Sequence, residues 1–291
     1  MNQKKFYPLY FTFAAFGIFA VFYIIPIAAA FVLGFTDWNI TRMYEPEFIG
    51  LQNFTYLFKD EYFKLSLFNT FKFAIITTVA IVAIGLALAV LLNGAVAGKK
   101  IFRTVFYMPA VLSLIVVGIA FTAVFRMDGG VLNQILGLLG LEHLQNDWLG
   151  NPETAMNCII FVQIWKWSGF AMAIFLVGLQ GIPKDYYEAA RIDGASRWRQ
   201  FKDITFPLLA PAFTVVVTMN TIGGFKVFEQ VYVMTSGGPG NATQVLGTYI
   251  YRAFSKGLLG RSTAMGLMQF LMIAVIALVL NHFLRRREVE M

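Results

Sequence analysis

The sequence predicts an all-α, polytopic membrane protein with six transmembrane helices and both termini in the cytoplasm. Three observations predict it. First, 58% of the 291 residues are apolar and only 13% are charged, where globular chains hold about 45–50% and about 25%. Second, six windows reach the roughly 20 mostly apolar residues that a helix needs to cross hydrocarbon. Third, the basic residues between those windows crowd onto one side. A mean hydropathy of +0.67 agrees, as do the 30 phenylalanines. Left in water, so much apolar surface would be penalised at about 25 cal/mol per Å². Lipid is the better solvent, and disorder, collagen, coiled coils and disulfide scaffolds are excluded.

The first window lies between Lys5 and Asp37 and predicts a helix over about 9–36. Lys4 and Lys5 followed by Ala28-Ala29-Ala30 imitate a signal peptide. The apolar run continues to Phe35, however, beyond the roughly 7–15 residues of a signal core, so the segment reads as an uncleaved helix. The second window, between Lys72 and Lys99, predicts 73–96, and the third, between Arg103 and Arg126, predicts 104–126. The fourth, between Glu153 and Lys184, predicts 155–182 and is interrupted once by Lys166. The fifth, between Asp203 and Lys226, predicts 205–225, and the sixth, between Arg261 and Arg285, predicts 262–284. Backbone groups in hydrocarbon must be satisfied internally, so these are helices; the alternating segments of a β-barrel are not seen. The chain is read as one transmembrane domain over 1–291 with a cytoplasmic loop at 183–205.

Placing the N-terminus inside puts Lys4, Lys5, Lys99, Lys100, Arg103, the basic residues of 184–202 and Arg285-Arg286-Arg287 in the cytoplasm. The longer outer segments, about 37–70, 127–154 and 226–261, hold fewer basic residues and more acidic ones. The net charge of +7 therefore reads as topology and not as nucleic-acid binding. Trp38 and Trp148 in the outer segments suit the headgroup level or a surface for an external partner. Ser236-Gly237-Gly238-Pro239-Gly240 is a turn signal. Asn241-Ala242-Thr243 fits a glycosylation sequon, a tripeptide too common to weigh.

Catalytic chemistry is missing from the pattern. Cys158 is the only cysteine, so no intrachain disulfide forms. His143 and His282 lack metal-ligand spacing. There is no Ser-His-Asp pattern, no HExxH and no GxxxxGK[ST] phosphate loop. No metal site, no cofactor and no enzyme activity are expected of this chain.

The loop from Ile182 to Thr205 is built differently from a lipid-binding surface helix, which would be mainly basic. Pro183 starts it and Lys184–Ile192 reads as a short helix. Asp193-Gly194 breaks that helix, glycine because it tolerates positive φ and Asp193 as an N-cap for the helix that follows. Ala195–Ile204 reads as a second short amphipathic helix, with Pro207 and Pro211 beyond. Ala189, Ala190 and Ala195 are small enough for another backbone to approach. These are the properties of a plug that sits in a partner's cleft.

Glu188-Ala189-Ala190-Arg191-Ile192-Asp193-Gly194-Ala195, with Phe201, Ile204, Pro207, Leu208 and Pro211, resembles the EAA loop of binding-protein-dependent ABC importers. Gly178–Pro183, Ser236–Pro239 and Gln52-Asn53-Phe54 are similar to the carbohydrate branch of maltose- and glycerol-phosphate-type permeases. The resemblance implies a type I importer permease fold in a bacterial or archaeal cell membrane. It implies a second related permease subunit as partner, two ATP-binding cassette subunits below, and an extracellular or lipid-anchored sugar-binding protein that delivers the cargo. ATP and magnesium would be held by those ATPase subunits and not by this chain. Glu188 would contact the ATPase, Ala189, Ala190 and Ala195 would allow close packing, and Asp193 and Gly194 would shape the corner.

Polar groups inside spans are candidates for the sugar path. Lys166 lies mid-window between Trp165 and Trp167, and Asn220 stands beside a run of small residues. Sugars bind to aromatic faces and hydrogen-bonding groups, which selects Lys166, Trp167, Phe170, Asn220, Gly223 and Gly224. Packing through small and polar residues is the competing use of the same positions. An ion-coupled secondary transporter or a channel is the alternative function. The former tends to use intramembrane carboxylates, and none lies inside the six windows; the latter leaves the 183–205 loop unexplained.

Overall fold

The structure is a computed structural model that describes residues 10–94 and 97–286. The predicted helix start at 9, Lys4 and Lys5, the predicted helix end at 95–96 and Arg287 lie outside the described residues. Among those residues there is no strand; the only pairing of extended backbone is an isolated antiparallel bridge between Thr36 and Phe48. In order the helices are α1 (Tyr10–Phe19), α2 (Ile25–Leu33), α3 (Gln52–Lys59), α4 (Glu61–Asn93), α5 (Lys99–Val111), α6 (Leu114–Val124), α7 (Val131–Leu138) and α8 (Pro152–Gly181). Then come α9 (Lys184–Ile192), α10 (Arg197–Gln200), α11 (Phe206–Leu208), α12 (Ala210–Phe225), α13 (Glu229–Thr235), α14 (Leu246–Ser255) and α15 (Leu259–Arg285). Two π-helical turns, Ala20–Ile24 and Phe201–Thr205, join α1 to α2 and α10 to α11.

Thr12–Leu33, α4, α8 and α15 are each long and apolar enough to cross a bilayer. The pairs α5–α6 and α10–α12 reach that standard only when joined, and they are bent by 99° and 65°. Counting each bent pair as one crossing gives six. The stretch expected as one helix over 104–126 is thus two helices, and α4 begins at Glu61, well before the expected 73.

Contacts divide the residues into two units. The first is Met1–Glu61 with Ile250–Leu271. Its first span carries Pro26, which has no N–H for the carbonyl one turn back. The chain absorbs this in the π turn, where Ile25 N–H reaches the Ala20 carbonyl. No residue of this span's apolar window is buried. Behind it, Asn53 is 5% exposed and donates to the carbonyls of Gly34 (3.0 Å) and Thr36 (2.8 Å), so the chain reversal after α2 is fastened to α3. Gly260 packs so closely on Thr36 and Trp38 that a side chain would collide with their backbone, and its N–H meets the Trp38 carbonyl at 2.6 Å. Arg42 bridges Glu47 and Asp37 at 2.9 Å each. Glu47 foremost, then Asp37, holds the guanidinium above its ordinary range.

The second unit is Tyr62–Tyr249 with Met272–Met291. One core gathers Phe73, Val117, Phe125, Ile159, Val231 and Val245, and another Ile81, Leu92, Met172, Phe175, Leu209 and Val216. Small residues bring the helices together: a side chain at Gly85 would press on Ala171, one at Gly178 on Leu209 and Ala212, and one at Gly224 on Ala74. Two hydroxyls in α4 donate back to their own helix, Thr70 to the Ser66 carbonyl and Thr77 to the Phe73 carbonyl, each at 2.7 Å, and Thr70 Oγ1 also accepts the Leu246 N–H at 2.9 Å. Arg103 donates to the Leu92 carbonyl at 2.7 Å, closing the C-terminal end of α4 across the short basic loop. Asn69 donates to the carbonyls of Ala242 and Gln244 at 3.0 Å each, which anchors the turn the sequence marks at 236–240.

Candidate functional site

Two regions hold the candidate residues. The first is the α9–α10 corner. Helix α9 ends in a double closure: Gly194 N–H bonds the Arg191 carbonyl at 3.1 Å and Ala195 N–H bonds the Ala190 carbonyl at 2.8 Å. This pattern requires a left-handed residue after the helix, and Gly194 supplies it at φ +74°. The closure keeps Asp193 on the last turn of α9, as its C-cap. The N-cap of α10 is therefore Ser196 and not Asp193: Ser196 Oγ accepts from Arg199 N–H at 3.3 Å. The second helix is also shorter than expected, running as α10 from Arg197 to Gln200 and then as a π turn. Gln200 donates to the Ala195 carbonyl at 2.9 Å, and the Tyr187 hydroxyl meets Thr205 Oγ1 at 2.9 Å. That last contact pins α9 back onto the π turn leading toward α12.

The six candidates at this corner come together on one knuckle. Glu188, Ala189, Asp193 and Gly194 are exposed, and Ala190 and Ala195 are half-buried on the inner side. Apolar residues stand out beside them, Ile192 at 87% and Trp198 at 71% exposure. Sequence reading missed Tyr187, Ser196 and Thr205. Only Ser196 left a signal, as a cap-type residue just before Arg197.

The second region is the face between α5 and α8. Lys166 is 1% exposed. Its Nζ donates to the carbonyls of Pro109 (3.0 Å), Ala110 (3.3 Å) and Leu112, the last carbonyls of α5 where the chain turns into α6. Pro109 lies inside α5 and Leu112 is extended; the Pro109 carbonyl also takes the Leu112 N–H at 3.3 Å, and the carbonyls beyond it are at a helix end with no donor further along the helix. Gly169 permits the approach, because a side chain there would collide with the Phe106 carbonyl. Trp167 and Phe170 meet edge to face at 5.8 Å, Phe170 lies 6.3 Å from Tyr107, and Lys166 Nζ is 5.3 Å from the Trp167 ring centroid.

The α12 candidates are placed otherwise. Asn220 is half-buried and donates back to the Val216 carbonyl at 2.8 Å. Gly224 packs on Ala74 of α4, while Gly223 is exposed with open space where a side chain would stand. The structure thus groups Lys166, Trp167 and Phe170 with Tyr107, which the sequence did not single out, and assigns Gly224 to helix packing.

Comparison with known proteins agrees with this architecture. Residues 81–289 match the family model described as "Binding-protein-dependent transport system inner membrane component". The chain is 37% identical over its full length, and over the full length of the relative, to "Probable ABC transporter permease protein YurN" of Bacillus subtilis. It is 35% identical to the arabinooligosaccharides transport system permease protein AraP of the same species, covering 95% of this chain and 88% of that one. Among solved structures, a chain of a bacterial alginate ABC transporter, in complex with an alginate pentasaccharide-bound periplasmic protein, superposes with a TM-score of 0.83 at 26% identity. That match covers 96% of this chain and 94% of the other. With its helical fold matching that of a type I ABC importer permease, the chain belongs to the family of binding-protein-dependent transport system inner membrane components.

Proposed function

We propose that this chain is the permease subunit of an ATP-driven importer that moves a saccharide delivered by an external binding protein. It pairs with a second, related permease, and two cytoplasmic ATP-binding cassette subunits supply the energy. The observation that carries the coupling is the α9–Gly194–α10 knuckle. A short helix, a sharp left-handed corner and a second helix present exposed Glu188, Ala189, Ile192 and Trp198, and Tyr187–Thr205 ties the knuckle to the segment entering α12. When the ATPase subunits close, a docked knuckle moves with them, and the helices carry that motion into the membrane. The basic excess of the 97–103, 184–202 and 285–287 segments supports a cytoplasmic knuckle and cytoplasmic termini. Hydrolysis belongs to the partners, and this chain binds no ATP.

The cargo is read as a sugar, from monosaccharide to oligosaccharide or related polyol. The names of the relatives favour oligosaccharides: one carries arabinooligosaccharides in its name, and the solved neighbour is an alginate transporter. Trp167, Phe170 and Tyr107 supply ring faces, and Asn220 and Gly223 on α12 offer a polar group and open backbone. The test is reconstitution in proteoliposomes with both permeases, the ATPase subunits and the binding protein, followed by uptake of a sugar panel. ATP hydrolysis stimulated by sugar-loaded binding protein, with uptake of that sugar, is the expected result. Uptake driven by an ion gradient without ATP overturns the reading.

A further inference from the structure

We propose that Lys166 is a positioning residue of the translocation path. It clamps the elbow between α5 and α6, thereby sets the Tyr107–Phe170–Trp167 ring group, and does not touch the cargo. The proposal rests on the importer reading for its transport consequences, while the clamp itself is measurable without transport.

The argument begins with donor arithmetic. An ammonium carries three N–H donors and no acceptor. Lys166 Nζ has three carbonyl partners, those of Pro109, Ala110 and Leu112, so no donor is left for a sugar hydroxyl. With 1% exposure there is no route for one to approach. Among the described residues no carboxylate pairs with it, so the buried charge is balanced by carbonyl dipoles and the Trp167 ring face. Those carbonyls belong to a helix C-terminus, which carries the negative end of the peptide dipoles. A buried ammonium without such partners is strongly disfavoured, so the clamp and the burial require each other.

The elbow needs the clamp. Pro109 and the extended Leu112 end α5, and the chain turns through 99° into α6. Pro109 keeps a bond from the Leu112 N–H, but the Ala110 and Leu112 carbonyls would otherwise be unsatisfied away from water. One turn along α8 from Lys166, Gly169 lets the Phe106–Tyr107 backbone lie against the helix. Lys166, Gly169 and Phe170 therefore act on one short stretch of α5: lysine holds its end, glycine admits its backbone, and Phe170 meets its Tyr107 ring at 6.3 Å. Loosening the end shifts the ring that the sugar would meet.

The experiment uses the complete importer. Spin labels at exposed Ile101 on α5 and Ile119 on α6, in a Cys158→Ala background, report the elbow as a distance distribution. Lys166→Met is expected to broaden that distribution and to lower maximal sugar uptake at least about ten-fold, the loss of charge-assisted hydrogen bonds. The concentration of loaded binding protein giving half-maximal uptake stays unchanged. Lys166→Arg, which keeps donors for the carbonyls, restores the narrow distribution and most of the uptake. Tyr107→Leu lowers uptake while the distribution stays narrow. Lys166→Gln replaces the methionine variant if the latter does not assemble, with the same broadening expected in smaller degree. A narrow distribution in the Met or Gln variant overturns the clamp. A changed preference between neutral and carboxylated sugars with an unchanged distribution makes Lys166 a cargo contact and overturns the proposal. Full uptake by Tyr107→Leu overturns the route through the ring. Should sugar uptake fail even with the unsubstituted chain, the importer reading is at fault, and the distance distributions still decide the clamp.

Discussion

Gly194 has a backbone angle of φ +74° and open space around the position where a side chain would begin. A substitution there acts through the backbone alone. Alanine in the left-handed region costs about 1–2 kcal/mol, and proline, fixed near about −65°, cannot adopt the angle. Gly194→Ala is expected to insert and assemble normally while lowering binding-protein-stimulated ATPase activity; Gly194→Pro is expected to abolish the stimulation. Membrane fractionation beside an ATPase assay checks both, and loss of insertion would count against the coupling role. Gly169 is the opposite case, constrained by packing: any side chain there meets the Phe106 carbonyl. Gly169→Ala is expected to destabilise the chain by about 1–3 kcal/mol as an overpacked contact does, read as a lower thermal midpoint in detergent.

At the scale of elements, the knuckle is held by few bonds, which makes it easy to loosen. Removing the Ser196 cap with alanine is expected to cost about 1 kcal/mol, and Tyr187→Phe removes the hydroxyl contact to Thr205 at about 0.5–1.5 kcal/mol. Both should speed amide hydrogen exchange across 184–205 and leave α8 unchanged; equal exchange in variant and parent would show that the two bonds do not hold the knuckle. This element was largely legible in the sequence, because Gly194 is a local signal: a left-handed corner needs glycine where it stands. The placing of the cap at Asp193 failed because the double closure consumes two residues before the next helix begins, a length that composition does not show. The elbow after α5 was not legible. Pro109 sits in an apolar run that membrane helices tolerate, and the side chain that satisfies the broken end, Lys166, comes from a distant helix. Lys166 attracted attention as a charge in hydrocarbon, but its partners are backbone carbonyls, which carry no sequence signature.

For the whole molecule, apolar windows revealed the membrane character because burial in lipid needs only length and composition. They did not reveal the 99° and 65° bends, which depend on packing between spans. The predicted sidedness is open to direct labelling. In a Cys158→Ala background, Trp198→Cys, at a position 71% exposed, is expected to react with an impermeant maleimide only from the cytoplasmic side. In the same background Tyr44→Cys, at a position 93% exposed, is expected to react only from outside. Reaction of both from one face would contradict the six-crossing topology. The first span adds a geometric consequence through its π turn at Ala20–Ile24. That turn accommodates one residue more than a regular helix, and each residue rotates a helix by about 100°. Its ring closes one residue later, so its five residues sweep roughly the angle of four regular ones, and deleting a single residue there would regularise the winding while leaving Phe13 and Phe16 at nearly the same azimuth relative to Ile27 and Phe31. The surplus residue is thus taken up where it stands, and both halves of one rod keep the bearing they would have without it.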